Sequence, residues 1–214
     1  MSAADLLPIL RGLPWTLGLT LGAFLIGALL GMPLLAARQS RSVPLRGLSM
    51  TIIQIVRGIP PILWLFIVFF GLGTGYLPIS PFGAAVASLG LISAANMAEI
   101  YRGALASIHP GQWEASSALN LGRWSTLVDI VAPQTFRVAL PSAASYLIGL
   151  MKETAVASTI GVTELTFYGN QQSQLTFRGL EVFAVVGLIY VLISLPVAWL
   201  SRIADSYLQA KVAR

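Results

Sequence analysis

The chain has 214 residues, 56% of them hydrophobic and only 10% charged, with a mean hydropathy of +0.80. Soluble domains carry about 25% charged residues, so the composition excludes one; it leaves room for roughly five or six membrane helices of about 20 residues each and for no separate soluble domain. The net charge of +5 comes from arginines beside apolar segments, not from basic runs interleaved with aromatics, and cysteine is absent with His109 as the single histidine; nucleic-acid binding, disulfides and thiolate or histidine-cluster metal sites are excluded.

Residues 1–11 form a short, mildly polar lead. Asp5 stands where a secretion signal would carry basic residues, and the following apolar stretch is too long for such a signal, so it reads as a first span. Span one covers about 12–37 and holds no charge. Its Gly18, Gly22, Gly27 and Gly31 can admit a neighbouring helix closely, although glycine is common in membrane helices and the simpler reading gives these four no special role. Arg38, Arg41 and Arg46 follow and place that loop in the cytoplasm, with the N-terminus outside.

Span two covers about 48–72 and contains Arg57-Gly-Ile-Pro60-Pro61. Two prolines cannot sustain the helical hydrogen-bond ladder, so a kink or break is expected at 57–61, with the freed carbonyls facing protein or a watery path. Arg57 reads either as an interfacial arginine, the simpler choice, or as part of a path lining. Residues 73–81 make a Gly/Pro-rich outer turn. Span three covers about 81–98 and ends at Glu99 and Arg102, whose i,i+3 spacing suits a structural ion pair.

The most polar interruption runs from 107 to 142. Pro110 can open a helix, Glu114 would sit in its first turn near the positive dipole end, and Gly122 can close it. Within 110–123, Ala115, Ala118, Leu119 and Gly122 fall on one small apolar face, with Trp113, Ser117 and Asn120 on another. Such a short helix suits the membrane surface. Span four is expected after Pro141, to about 161, and contains Lys152 and Glu153; charge at that depth marks a path or gate, a structural pair, or an interface. Residues 162–181 read as a polar outer loop. Span five covers about 182–200, and Arg202, Lys211 and Arg214 keep the C-terminus inside. The fold class is all-α: about five transmembrane helices in one domain over 1–214, with a surface helix between spans three and four.

Catalytic chemistry is missing. The only lysines, Lys152 and Lys211, do not follow glycine, so there is no phosphate-binding Gly-Lys-Ser/Thr loop. One histidine beside a proline makes a hydrolytic triad improbable, and Glu153 and Glu164 are not expected to face each other. No residue is assigned a catalytic or metal-binding role.

The string GQWEASSALNLG followed by IVAP resembles the loop E-A-A-x-x-x-G-x(9)-I-x-L-P of bacterial ABC-transporter permeases. Glu114, Ala115, Ile130 and Pro133 match, while Ser116, Asn120 and Ala132 replace Ala, Gly and Leu. VRGIP, AEIYRGAL and MKETAVASTIGVTEL resemble the polar amino-acid uptake branch, in the expected order over about 12–205. The resemblance implies a type-1 ABC-transporter transmembrane domain in a bacterial inner membrane. It implies that Trp113, Glu114, Ala115, Ser116, Ala118, Leu119, Asn120, Leu121 and Gly122 couple to a separate ATPase dimer, which alone uses ATP and Mg. It further implies a second permease copy, identical or paralogous, and an extracytoplasmic amino-acid-binding protein. Arg57, Pro60, Glu99, Arg102, Lys152 and Glu153 are the candidates for the translocation path or gate. The alternative is a self-sufficient secondary transporter or channel, for which paired broken helices are expected and only one break is visible.

Overall fold

A computed structural model describes residues 3–73 and 78–210, with side chains described over 6–203. The readings placed on the side chain of Asp5, on residues 74–77 of the outer turn, and on Lys211 and Arg214 lie outside these. Helices follow one another throughout: α1 (Ala3–Leu10), α2 (Leu13–Arg38), α3 (Val43–Gly58), α4 (Pro61–Phe66), α5 (Pro81–Ala106), α6 (Pro110–Ala118), α7 (Arg123–Ser125), α8 (Ala132–Glu153), α9 (Leu165–Thr176) and α10 (Gly179–Ala210). Short π-helical stretches (Ile67–Leu72, Thr126–Val131) extend α4 and join α7 to α8, and a 3-10 stretch (Thr154–Ile160) continues α8.

The centre of the molecule is α2 packed against α5. In lipid no hydrophobic force draws helices together, so small residues and interhelical hydrogen bonds must do so. The glycines of α2 supply the small residues, contrary to the simpler reading of them. Gly18 lies against Phe82 and Gly22 against Val86, while a Cβ on Gly27 would fall 2.1 Å from Ser93 Oγ and one on Gly31 2.8 Å from Met97 Cβ. The partners ascend together in both helices, so α2 and α5 run parallel. Tyr101 Oη donates to the Ala28 carbonyl (3.2 Å), and Ser49 Oγ of α3 to that of Leu34 (2.9 Å).

Because α2 and α5 are parallel, the chain between them must return. It does so through α3 and α4, which form an apolar pair bent by 101°. Proline steric clash drives the residue before it into extended backbone, and Ile59 adopts φ −94°, ψ 130°. Pro61 then starts α4, where its missing N–H costs nothing. The freed Val56 carbonyl accepts from Trp64 Nε1 at 3.1 Å.

Three described helical stretches are long and apolar enough to cross a membrane, namely Leu6–Arg38, Pro81–Ala106 and Gly179–Ile203, and the count rises to four if the bent pair is one broken span rather than a re-entrant loop. Several boundaries differ from those read in the sequence. Helix α5 runs on to Ala106, so Glu99 and Arg102 lie inside it rather than at its end. Helix α8 starts at Ala132 and passes through Pro141 instead of beginning after it, as membrane helices can when neighbours satisfy the freed backbone groups. Residues 162–181 are not simply a loop, because α9 occupies their middle.

That segment is locked down. Gly161 turns the chain with φ +89°. Glu164, fully buried, caps α9 by accepting from the backbone N–H groups of Thr166 (2.8 Å) and Phe167 (2.7 Å) and from Tyr190 Oη of α10 (2.6 Å). The Leu165 N–H donates to Thr16 Oγ1 of α2 at 3.2 Å. Gly12 is pressed so tightly here that a Cβ would meet the Glu164–Leu165 backbone at 2.5 Å. A separate apolar cluster, including Ile9, Met151, Leu165, Val182 and Val186, surrounds this anchor.

Candidate functional site: a surface helix and a polar groove

The first feature is α6. His109 caps it, its Nδ1 accepting from the Gly111 N–H at 3.0 Å, and Pro110 occupies its first position. It ends at Ala118, earlier than read from the sequence, and Asn120, not Gly122, turns the chain out of it with φ +54°. Asparagine tolerates this left-handed conformation, which explains why no glycine is needed there. Gly122 instead precedes α7 in extended backbone. No acidic residue lies in the first turn of α6; Glu114 comes after it, where the dipole contribution of about 0.3–1 kcal/mol has faded.

One face of α6 is fixed to its own chain. Ser116 is 1% exposed and its Oγ donates to the Gln112 carbonyl at 2.7 Å. Gln134 Nε2 of α8 donates to Gln112 Oε1 (3.2 Å) and to the Ile130 carbonyl (2.8 Å). The rest is open. Trp113 is 41% exposed and Leu119 72%; Glu114, Ala115, Ala118, Asn120, Leu121 and Gly122 are exposed as well. Of the nine residues assigned to coupling, only Ser116 faces inward, its hydroxyl bonded within the helix to the Gln112 carbonyl.

The second feature is a groove at the broken turn. Its upper part, about 430 Å³, is lined by residues that include Gln54, Arg57, Gly58, Asn96 and Glu153. A continuation of about 610 Å³ is lined by residues that include Arg57, Asn96, Glu99, Arg102, Ser142 and Tyr146. The two share Arg57 and Asn96, joined by a bond from Arg57 Nε to Asn96 Oδ1 (3.1 Å), while Asn96 Nδ2 donates to the Ile92 carbonyl (3.0 Å). Arg57 thus lines both parts of the groove. Glu99 is held by two guanidinium groups, Arg102 at 3.0 Å as its spacing suggested, and Arg38 from the end of α2. Glu153 Oε2 is buried without a hydrogen-bond partner.

Of the six path residues read from the sequence, the structure therefore gathers Arg57, Glu99, Arg102 and Glu153 on the groove. Pro60 forms the break beside it. Lys152 lines neither part and is exposed on the outside of α8, because neighbours on a helix point about 100° apart. Asn96, Tyr146 and the Arg38–Glu99 pair were missed. A lone asparagine in span three was a visible signal; the Arg38 pairing, across 61 residues, left none.

Residues 24–209 match the family described as binding-protein-dependent transport system inner membrane component. The chain is 34% identical to a probable amino-acid ABC transporter permease, YckA, of Bacillus subtilis (strain 168), over 85% of this chain and 80% of that protein. It is 34% identical to the glutamine transport system permease protein GlnP of Escherichia coli (strain K12), over 85% and 82%, and 31% identical to the L-cystine transport system permease protein TcyB of Bacillus subtilis (strain 168), over 97% and 89%. Among solved structures, an amino acid ABC transporter crystallised with histidines superposes with a TM-score of 0.87 at 28% identity, over 94% of each chain. The inward-facing MetNI methionine ABC transporter shares the fold, with a TM-score of 0.77 at 23% identity, over 98% and 99%. Family match and relatives agree along nearly the whole length, and the chain belongs to the binding-protein-dependent transport system inner membrane component family.

Proposed function

We propose that the chain is the membrane permease of an ABC importer for polar amino acids, worked from the cytosol by a separate ATPase. The observation that carries this reading is α6: a short helix tied to α8 through Gln112 and Gln134, yet presenting Trp113 and Leu119 outward. A short helix tied to its own chain on one face and exposing an aromatic and an aliphatic residue on the other suits entry into a groove on a partner. The names of the relatives supply the amino-acid cargo.

In this reading five segments cross the membrane. Helix α8 is the fifth: its 22 residues reach about 33 Å at 1.5 Å each. It begins beside α6 and leads to the Glu164 anchor, which Gly12 at the start of α2 also touches. The N-terminus is then outside and the C-terminus inside, with Arg38, Arg41 and Arg46 cytoplasmic. Two copies of the permease, identical or paralogous, flank the path; an external binding protein delivers cargo; ATP and Mg are used by the ATPase dimer. When ATP closes that dimer, α6 is carried along and pulls on α5 and α8, between which the groove lies.

The test is Glu114→Arg in the complete complex. ATP-driven uptake is expected to be lost while the variant still inserts and assembles with the second permease copy. Unchanged uptake would refute the coupling role of α6. Uptake by the permease without any ATPase would favour the secondary-transporter alternative instead.

A further inference from the structure

A different recess lies between α2, α5 and the helix that leads from α7 into α8, and its chemistry is opposite to that of the polar groove. It holds about 470 Å³, and its lining includes Leu29, Met32 and Leu35 of α2, Leu105 of α5, Leu127 of the π-helical stretch and Phe136 of α8. Leu29, Met32, Leu127 and Phe136 are exposed, so the recess opens to the side. Its two polar side chains are already engaged within the protein. Tyr101 Oη donates to the Ala28 carbonyl (3.2 Å) and Thr135 Oγ1 to that of Val131 (2.8 Å). A polar solute gains no free donor there, whereas a hydrocarbon chain meets apolar walls on three sides.

The recess has the depth of one leaflet. Along α2 its lining begins at Ala28 and stops at Leu35, one turn before Arg38 closes the helix. From Ala28 to Arg38 the helix climbs about 15 Å at about 1.5 Å per residue, half of the roughly 30 Å hydrocarbon core. The opposite wall marks the same level. Leu127, Val131 and Thr135 line the recess at steps of four residues, and one step before Leu127 stands Arg123, followed by Trp124, which is 75% exposed. Tryptophan is enriched at the headgroup level. Beyond α2, Arg41 is exposed as well. Arg38 is taken up by Glu99, but among the described residues neither Arg41 nor Arg123 has a carboxylate within ion-pair distance. Asp129, the one carboxylate on the π-helical stretch, does not line the recess. An apolar slot one leaflet deep thus opens beside two uncommitted guanidinium groups, and basic pockets between membrane helices on the cytoplasmic side suit anionic headgroups.

We infer that this recess binds an anionic phospholipid of the cytoplasmic leaflet, with an acyl chain lying between α2, α5 and α8 and the phosphate headgroup held by Arg41 and Arg123. The lipid touches both the α2–α5 core and the helix through which α6 acts on the spans, so it fills the seam between the fixed and the driven parts of the permease. The inference rests on the importer reading above for the side of the membrane on which these arginines lie.

The test uses the complete transporter in lipid nanodiscs with a trace of phosphatidylglycerol carrying a photoreactive diazirine in one acyl chain. Unlabelled phosphatidylglycerol or phosphatidylcholine competes, and labelled permease peptides are read by mass spectrometry. Label is expected in 28–35 and 127–136, displaced by phosphatidylglycerol at about tenfold lower concentration than by phosphatidylcholine. On the exposed apolar face of α10, over 188–195, the two lipids should compete equally. The double variant Arg41→Gln with Arg123→Gln should keep the label in the recess and lose the preference. No label in the recess, equal competition there, or a preference untouched by the double variant overturns the inference. A disulfide between Leu29→Cys and the second permease copy also overturns it, because protein would then cover the recess. The orientation is read separately from Gln39→Cys. Reaction with an impermeant thiol reagent outside intact cells overturns the importer topology as well, whereas reaction confined to inside-out vesicles, with no label in the recess, overturns the lipid site alone.

Discussion

Glu164 and Glu153 sit eleven positions apart and show two ways for a membrane protein to hold a carboxylate. Glu164 is fully buried, with bonds from two backbone N–H groups and the Tyr190 hydroxyl. Glu153 lines a groove with one oxygen unsatisfied. Burial of charge is tolerated when every lone pair finds a donor. The Glu164 anchor is thus closed, whereas Glu153 keeps one oxygen without a partner. The difference separates scaffold from site more sharply than burial does, since the more deeply buried glutamate is the structural one.

Substitutions probe this contrast. The largest loss of stability is expected from Glu164→Ala, which strands a buried tyrosine hydroxyl and two N–H groups. Donors left unsatisfied cost about 1–3 kcal/mol each, so a loss of about 3 kcal/mol should appear as a lowered thermal midpoint in detergent. Next is Gly27→Val at the α2–α5 contact, where the added atoms meet Ser93. Overpacking predicts a loss of about 2 kcal/mol, partly restored by Ser93→Gly; no shift would show that the helices do not approach as described. Trp64→Phe removes the donor to the Val56 carbonyl and should cost about 1 kcal/mol. Glu153→Gln should be smallest, within about 0.5 kcal/mol. A Glu153 variant as unstable as Glu164→Ala would erase the distinction between the two residues.

The helices that could be read from the sequence are those whose information is local. Charge-free runs disclosed α2 and α10, and the prolines of RGIPP disclosed the break, because proline acts on its immediate neighbours. Glu99 and Arg102 looked like the end of a helix. They lie within one because Arg38, 61 positions away, helps Glu99 stay there, and no local pattern records that. Pro141 looked like a start because proline is disfavoured inside a helix, yet α8 passes through it. The polar composition of 162–181 suggested a loop and hid α9, whose cap depends on Tyr190 and whose entry depends on Thr16 and Gly12. At α6 the exposed residues could be read from their pattern, but the inward turn of Ser116 and the closing role of Asn120 needed backbone geometry.

The absence of cysteine from the chain opens a direct test of the central claim, that an outside motor grips α6. A single Leu119→Cys should be joined to the ATPase subunit by a short bifunctional reagent in inner-membrane vesicles of the whole transporter, with a yield that changes when ATP is added. The same cysteine should resist impermeant thiol reagents applied to the outside of intact cells. Labelling from outside, or no joining to the ATPase in a complex that still transports, would contradict the account.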